Sequence, residues 1–186
     1  MIAYIVCEGH FDAQLLKTVL PKNLLNDVQV VAAGGLSAVK SLARSLVVRR
    51  QVPMIIVVDA DSVVQELIQE RLKSIEEIVG GVAANTPVKV VLAVPEMEAI
   101  FFQDASLLAR VLRYEPPQNI LNLAVFQPKE ALHLFLSQSQ NSNHLSPLEI
   151  IARLSNEDTD ILQKTPFIQE IINFLESVRE TAKIQS

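Results

Sequence analysis

Two hydrophobic rhythms alternate along the first hundred residues of this chain. Short apolar runs rich in β-branched residues occupy IAYIVC (2–7), VQVVAA (28–33), MIIVVDAD (54–61) and VKVVLAV (88–94). Each has the length and bounds of a strand, and the third is nearly unbroken until it ends in acids, as expected of a strand buried on both faces. Longer segments with a 3.6-residue period lie between them. FDAQLLKTVLP sets Leu15, Leu16, Val19 and Leu20 at helical spacing before Pro21. Residues 36–50, LSAVKSLARSLVVRR, follow Gly34-Gly35, with Ser37 as the expected cap and Val39, Leu42 and Leu46 along one face. Residues 62–81 read as a helix stopped by Gly80-Gly81. Alternation of this kind predicts right-handed βαβ units, hence an α/β fold with a mostly parallel four-stranded sheet flanked by helices.

The pattern changes at Pro95. No further run reads as a strand, whereas AIFFQDASLLARVL, PKEALHLFLSQ, PLEIIARL and PFIQEIINFLESVRETAK all carry helical periodicity. Pro116-Pro117 and the polar tract 137–147 are the expected loops. The organisation predicted is an α/β domain over 1–104 and a helical extension over 105–186 packed on it.

Composition narrows the setting. The chain has 186 residues, 49% of them hydrophobic, enough for a sizeable core. With a single cysteine, Cys7, no intramolecular disulfide can form, and a reduced, cytoplasmic setting is expected. The N-terminus lacks a basic segment before its apolar run and reads as a buried strand rather than a signal peptide. No apolar stretch approaches the roughly 20 residues that span a bilayer. The formal net charge of −5 excludes a domain that holds nucleic acid by bulk positive charge, and the absence of Trp argues against a base-stacking platform.

The acidic excess becomes informative once it is placed on the strands. In a parallel sheet, ligands collect at the carboxyl ends of the strands. The first strand ends at Glu8, with Asp12 about one turn on; the third at Asp59, with Asp61 two further; the fourth runs into Pro95-Glu96-Met97-Glu98. Each acid alone has an ordinary reading as a helix cap. Together they would gather up to six carboxylates at one sheet edge, where like charges raise one another's pKa. A divalent cation offsets that cost most simply. All-oxygen donors suit Mg²⁺ or Mn²⁺, one ion or two, and three scattered histidines with one cysteine do not suit zinc. Two ions would bring the charge from −5 to about −1, so the acidity ceases to argue against a phosphate substrate.

The order of these motifs resembles the Toprim domain: Glu8-Gly9 after an apolar strand with Asp12 beyond, Gly34-Gly35 opening a helix, then Asp59-Ala60-Asp61 after a second apolar strand. With VPEMEAIFFQD (94–104), PKEAL (128–132) and KTPFIQEIINFL (164–175), the chain is similar over nearly its whole length to stand-alone Toprim-like proteins related to OLD-family nucleases. The resemblance implies a Toprim-like fold and metal-dependent phosphodiester hydrolysis on nucleic acid, DNA before RNA. It implies Glu8 as acid/base or metal ligand, Asp12, Asp59, Asp61 and Glu98 as metal ligands with Glu96 as companion, and Lys129 as a stabiliser of phosphoryl charge. Two positions depart from the pattern. Val63 stands where topoisomerases carry a third acid, and Ile100 where an aromatic is expected after Glu98. The same site would serve a nucleotidyl transferase, and a non-catalytic accessory protein, or a subunit working with a partner ATPase or another protein, is the alternative from a different class.

Of the remaining candidates, the helix at 36–50 carries Lys40, Arg44, Arg49 and Arg50 with no acid among them, a candidate nucleic-acid-binding face whose first turn offers main-chain N–H groups to a phosphate. The competing reading is a solvated helix face. Arg110 and Arg113 form a weaker second patch. His10 reads as a surface residue near the site, His133 and His144 carry no assigned role, and Cys7 reads as a small apolar filler. No P-loop motif or nucleophilic triad is present.

Overall fold

A computed structural model describes residues 1–83, 85–138 and 145–184. The four expected strands form as β1 (Ala3–Cys7), β2 (Val28–Ala32), β3 (Met54–Asp59) and β4 (Val88–Ala93). They build one all-parallel sheet in the order β2-β1-β3-β4. The crossovers are α1 (His10–Val19) with the single turn α2 (Lys22–Leu25), then α3 (Leu36–Arg50) and α4 (Gln65–Ala83).

Side chains alternate across the sheet with the period of two that strand geometry imposes. Ala3, Ile5, Cys7, Ile55, Val57, Val91 and Ala93 face one core, which α1 covers. Tyr4, Val6, Met54, Ile56, Val58 and Val90 face the other, under α3 and α4. The chain steps from β1 to β2 in one direction and from β3 to β4 in the other. Right-handed crossovers therefore place α1 on one face and α3 and α4 on the opposite face.

Beyond β4 the described chain is helical: a 3₁₀ segment (Met97–Phe102), α5 (Ala105–Leu112), α6 (Gln118–Ala124), α7 (Pro128–Gln138), α8 (Pro147–Arg153), α9 (Asn156–Gln163) and α10 (Pro166–Ile184). These elements share the first core. Phe101, Leu107, Phe135, Ile150, Ile168 and Leu175 all belong to it. The helical half thus completes the sheet face that α1 covers only in part. His144 and most of the expected loop at 137–147 lie outside the described residues, while Ser137 and Gln138 close α7.

Four local expectations need correction. The N-cap of α3 is Gly35, and Ser37 lies inside the helix; Gly35 takes the place because the chain enters at φ 111°, a conformation costly for any residue with a Cβ. The helix that follows β3 begins at Gln65 rather than 62, since Asp61 has φ 54° and Ser62 Oγ accepts the Val64 N–H at 3.0 Å. Gly80-Gly81 do not stop it. The helix continues to Ala83 because Val79 and Ala83 are buried in the second core, and that burial outweighs the glycine penalty of about 1 kcal/mol each. Arg110 is no free cationic patch. Its Nε and Nη2 donate to Asp158 Oδ1 at 3.0 and 2.9 Å and Nη2 to Asp104 Oδ2 at 3.0 Å, tying α5 to α9.

Phe101 is fully buried in the core that joins the helical half to the sheet, with Phe11 of α1 tilted against it at a centroid distance of 6.2 Å. Replacing it with Ala leaves a ring-sized cavity in that core. Phe101→Ala is expected to cost about 3–5 kcal/mol, read as a lower urea midpoint with an unchanged slope.

Candidate functional site

The sheet reverses its winding between β1 and β3. In a doubly wound sheet the crevice for a ligand opens there, outside the carboxyl ends of the strands. Glu8 follows β1 and Asp59 closes β3, so the two acids flank that crevice. They are tied together: the Asp59 N–H donates to Glu8 Oε1 at 3.3 Å. The Glu8 carbonyl accepts from Gly34 and Gly35 N–H at 2.8 and 3.2 Å, bringing the end of β2 into the same knot. Those two glycine amides are consequently not open to a phosphate.

Asp12 reaches back one turn and accepts the Gly9 N–H at 2.8 Å, which caps α1 and fixes the carboxylate beside the crevice. Asp59 Oδ1 accepts the Met97 N–H at 2.8 Å. This bond pins the 3₁₀ segment against the end of β3 and carries Glu98, 5% exposed, into the field of Asp59. Glu96 Oε2 accepts the Lys129 N–H at 3.0 Å and holds the first turn of α7 against the same loop. Lys129 comes within Coulombic reach of both Asp12 and Glu98. Where an aromatic is expected after Glu98, buried Ile100 is followed at once by buried Phe101.

Asp61 stands apart from this group. It is exposed, its N–H donates to Pro95 O at 2.9 Å, and its Oδ2 lies 2.7 Å from Arg71 Nη2. The same nitrogen lies 3.8 Å from Glu8 Oε1. Arg71 Nε is buried without a hydrogen-bond partner. Sequence reasoning passes over Arg71, whose signal is faint: it is the one arginine of α4, beside the buried stripe of Ile68, Ile75 and Val79.

Burial dominates the electrostatics. It pushes the Asp59 carboxyl up to about 7, with Asp12, Glu98 and Glu8 adding repulsion against the opposing Met97 N–H. Asp12 and Glu98 are also raised, first by burial, with Lys129 pulling both the other way. Asp12, Asp59 and Glu98 have no ion pair among the described residues. These donors are all oxygens and suit a hard divalent cation in kind. Among the described residues, however, no three His, Cys, Asp or Glu side chains stand close enough to hold a metal ion. The acids share a field without sharing a coordination sphere.

On the second face, Ser37, Lys40, Ser41, Arg44 and Arg49 of α3 and Ile78 of α4 line an open groove of about 610 Å³. Lys40 Nζ lies 3.5 Å from Ser74 Oγ of α4. Arg50 lies outside this lining, at the last position of α3. His10 is exposed at the first position of α1 and His133 is exposed on α7. Cys7 is buried and its thiol is pushed up to about 12, first by burial, so it is an inert filler. Among the described residues no helix is long and apolar enough to cross a membrane.

No protein-family model and no curated protein matches the chain. The C-terminal region of the OLD protein of Xanthomonas campestris pv. campestris is similar in structure, with a TM-score of 0.51 at 15% identity, over 98% of this chain and 96% of that one. At this identity the likeness concerns the fold.

The Asp59 shift has a signed consequence for stability. Its folded pKa of about 7 lies above the ordinary 3.8, so the folded protein binds this proton more tightly than the unfolded chain. The contribution is full below the ordinary value and is lost as pH rises through about 7. Asp12 and Glu98 act in the same direction. Asp104, lowered by its bonds to Ser106, contributes stability that is already complete above the ordinary carboxylate range. Thermal melts in chelator are expected to show a falling midpoint between about pH 4 and pH 7, and Asp59→Asn is expected to flatten that fall.

Proposed function

We propose that this protein is a Toprim-like, Mg²⁺- or Mn²⁺-dependent nuclease that hydrolyses phosphodiester bonds in nucleic acid, most simply DNA. The observation that carries this reading is the group of under-compensated carboxyls at the β1–β3 crevice, Asp12, Asp59 and Glu98, with Glu8 and Lys129 beside them. A site that holds Asp59 near pKa 7 favours an added positive charge, and hard oxygen donors select a hard cation. The structural likeness to part of an OLD protein supports the fold on which the reading stands.

In this reading Asp59, Glu98 and Asp12 hold the ion or ions, with Asp61 and Glu96 at the margin. A bound divalent ion supplies charge that polarises a phosphoryl oxygen and acidifies water. Glu8 stands at the switch point with Oε1 fixed by the Asp59 N–H, oriented to take a proton from an attacking water. Lys129 opposes charge developing on the phosphoryl oxygens. The α3 groove receives the phosphate backbone through Lys40, Arg44 and Arg49, with Arg50 outside its lining at the end of α3.

One observation favours a second reading. The carboxylates do not enclose an ion as they stand, and Arg71 already neutralises Asp61. A non-catalytic accessory protein on this scaffold would need neither. Calorimetric titration separates the two, since an accessory protein without a metal requirement takes up neither Mg²⁺ nor Mn²⁺.

Purified protein with Mn²⁺ is expected to nick supercoiled plasmid, and Asp59→Ala to abolish nicking; equal nicking by both proteins defeats the assignment. Lys129→Ala should retain metal binding and lose about 10²–10³ in rate. Replacing Lys40, Arg44 and Arg49 together with Gln should lower the salt dependence of DNA binding, log K against log salt, by about 2–3 in slope. An unchanged slope places the backbone elsewhere.

A further inference from the structure

Exposed apolar side chains recur in the segments that border the acidic crevice. Val63, Val64 and Leu67 follow Asp61, Val94 stands two residues before Glu96, and Val125 and Phe126 form the corner between α6 and α7, just ahead of Lys129. An exposed aliphatic residue is ordinary on a protein surface, but an exposed aromatic ring forgoes more. Of the seven Phe in the chain, Phe126 is the one left exposed, at 62%, and among the described residues it has no ring partner. Phe11 tilts on Phe101, and Phe135 stacks on Tyr114. The corner itself is ordered. The Phe126 and Gln127 N–H groups donate to Leu123 O at 3.1 and 2.9 Å, and buried Pro128 begins α7 directly afterwards. Lys129, three residues on, is exposed and has no ion pair among the described residues. Three residues of chain reach at most about 11 Å, so a flat apolar ring and an ammonium stand close together at one end of α7. Those two groups answer the two parts of a nucleotide, the base and the phosphate.

We propose that Phe126 stacks on an unpaired base next to the phosphate that Lys129 opposes, so that this site takes an unpaired strand or end and not intact duplex. The inference rests on the nuclease reading and names its substrate class. Within a duplex the faces of the bases are covered by their neighbours, and the grooves offer only base edges. A ring on a fixed corner meets a base face only where pairing has been lost. Supercoiled plasmid offers such a strand wherever it opens. Stacking accepts every base, because every base has a π-face, so the preference is for strandedness and not for sequence. It also adds affinity that does not depend on counterion release, which suits a chain of net charge −5. One ring makes an anchor, and the absence of Trp agrees with there being no extended platform.

Fluorescence anisotropy of a labelled oligothymidylate of about 15 nucleotides, and of a blunt duplex of the same length, reads the affinity in chelator and on rapid mixing with Mn²⁺. Phe126→Ala is expected to weaken single-strand binding about tenfold, with an unchanged salt slope and unchanged duplex binding. Phe126→Tyr keeps the ring and should bind as the wild type does, whereas Phe126→Leu keeps apolar bulk without the π-face and should fall with Phe126→Ala. Phe126→Trp sets a single indole in a chain that has none, and its fluorescence should be quenched by the single strand and not by the duplex. The exposure of position 126 keeps these variants folded, which equal thermal midpoints check. Single-strand binding that survives Phe126→Ala, or that Phe126→Leu retains, overturns the proposal, as does an equal loss of both nucleic acids. The nuclease reading stands in each of those cases if Mn²⁺-dependent nicking is still lost in Asp59→Ala. If the wild type binds neither nucleic acid under either condition, that reading falls as well.

Discussion

The carboxyl edge of the sheet is held together by acids that accept main-chain N–H groups. Glu8 takes the Asp59 N–H, Asp59 takes that of Met97, and Glu96 takes that of Lys129. Each bond joins a different pair of segments: β1 to β3, β3 to the 3₁₀ segment, and that loop to α7. Each of these links is directional, because a carboxyl oxygen accepts one defined main-chain N–H. The helical half owes its position to the same chain of bonds and to the core around Phe101.

This construction leaves charge uncompensated in one place and compensated in another. Asp12, Asp59 and Glu98 are buried enough to be raised in pKa and lack ion pairs among the described residues, whereas Asp61 and Glu8 share Arg71. Lys40, Arg44 and Arg49, with no ion pair among the described residues, line the α3 groove. The net charge of −5 therefore describes no surface of the molecule. It averages an acidic crevice at the carboxyl edge of the sheet and a basic groove along α3.

Much of the fold was legible because its signals are local. Strand runs of Val and Ile, the helical spacing of Leu15, Leu16 and Val19, and acids at three strand ends all survive in the structure within a residue or two. The misjudged points are those where a distant partner outweighs a local preference. Gly80 and Gly81 stay helical because Val79 and Ala83 are buried beneath the sheet. Asp61 has the spacing of a helix cap and instead faces an arginine ten residues on.

By itself the sequence determined the alternation of elements, the parallel sheet and the acids that end its strands, since hydrophobic period and strand chirality act over a few residues at a time. The tertiary structure alone decided the strand order that puts Glu8 beside Asp59, the approach of Lys129 to Asp12 and Glu98, and the placing of Arg71 on Asp61. Those contacts join residues up to more than a hundred positions apart. Their energies depend on burial and on the distance between charges, and neither quantity exists until the chain has folded.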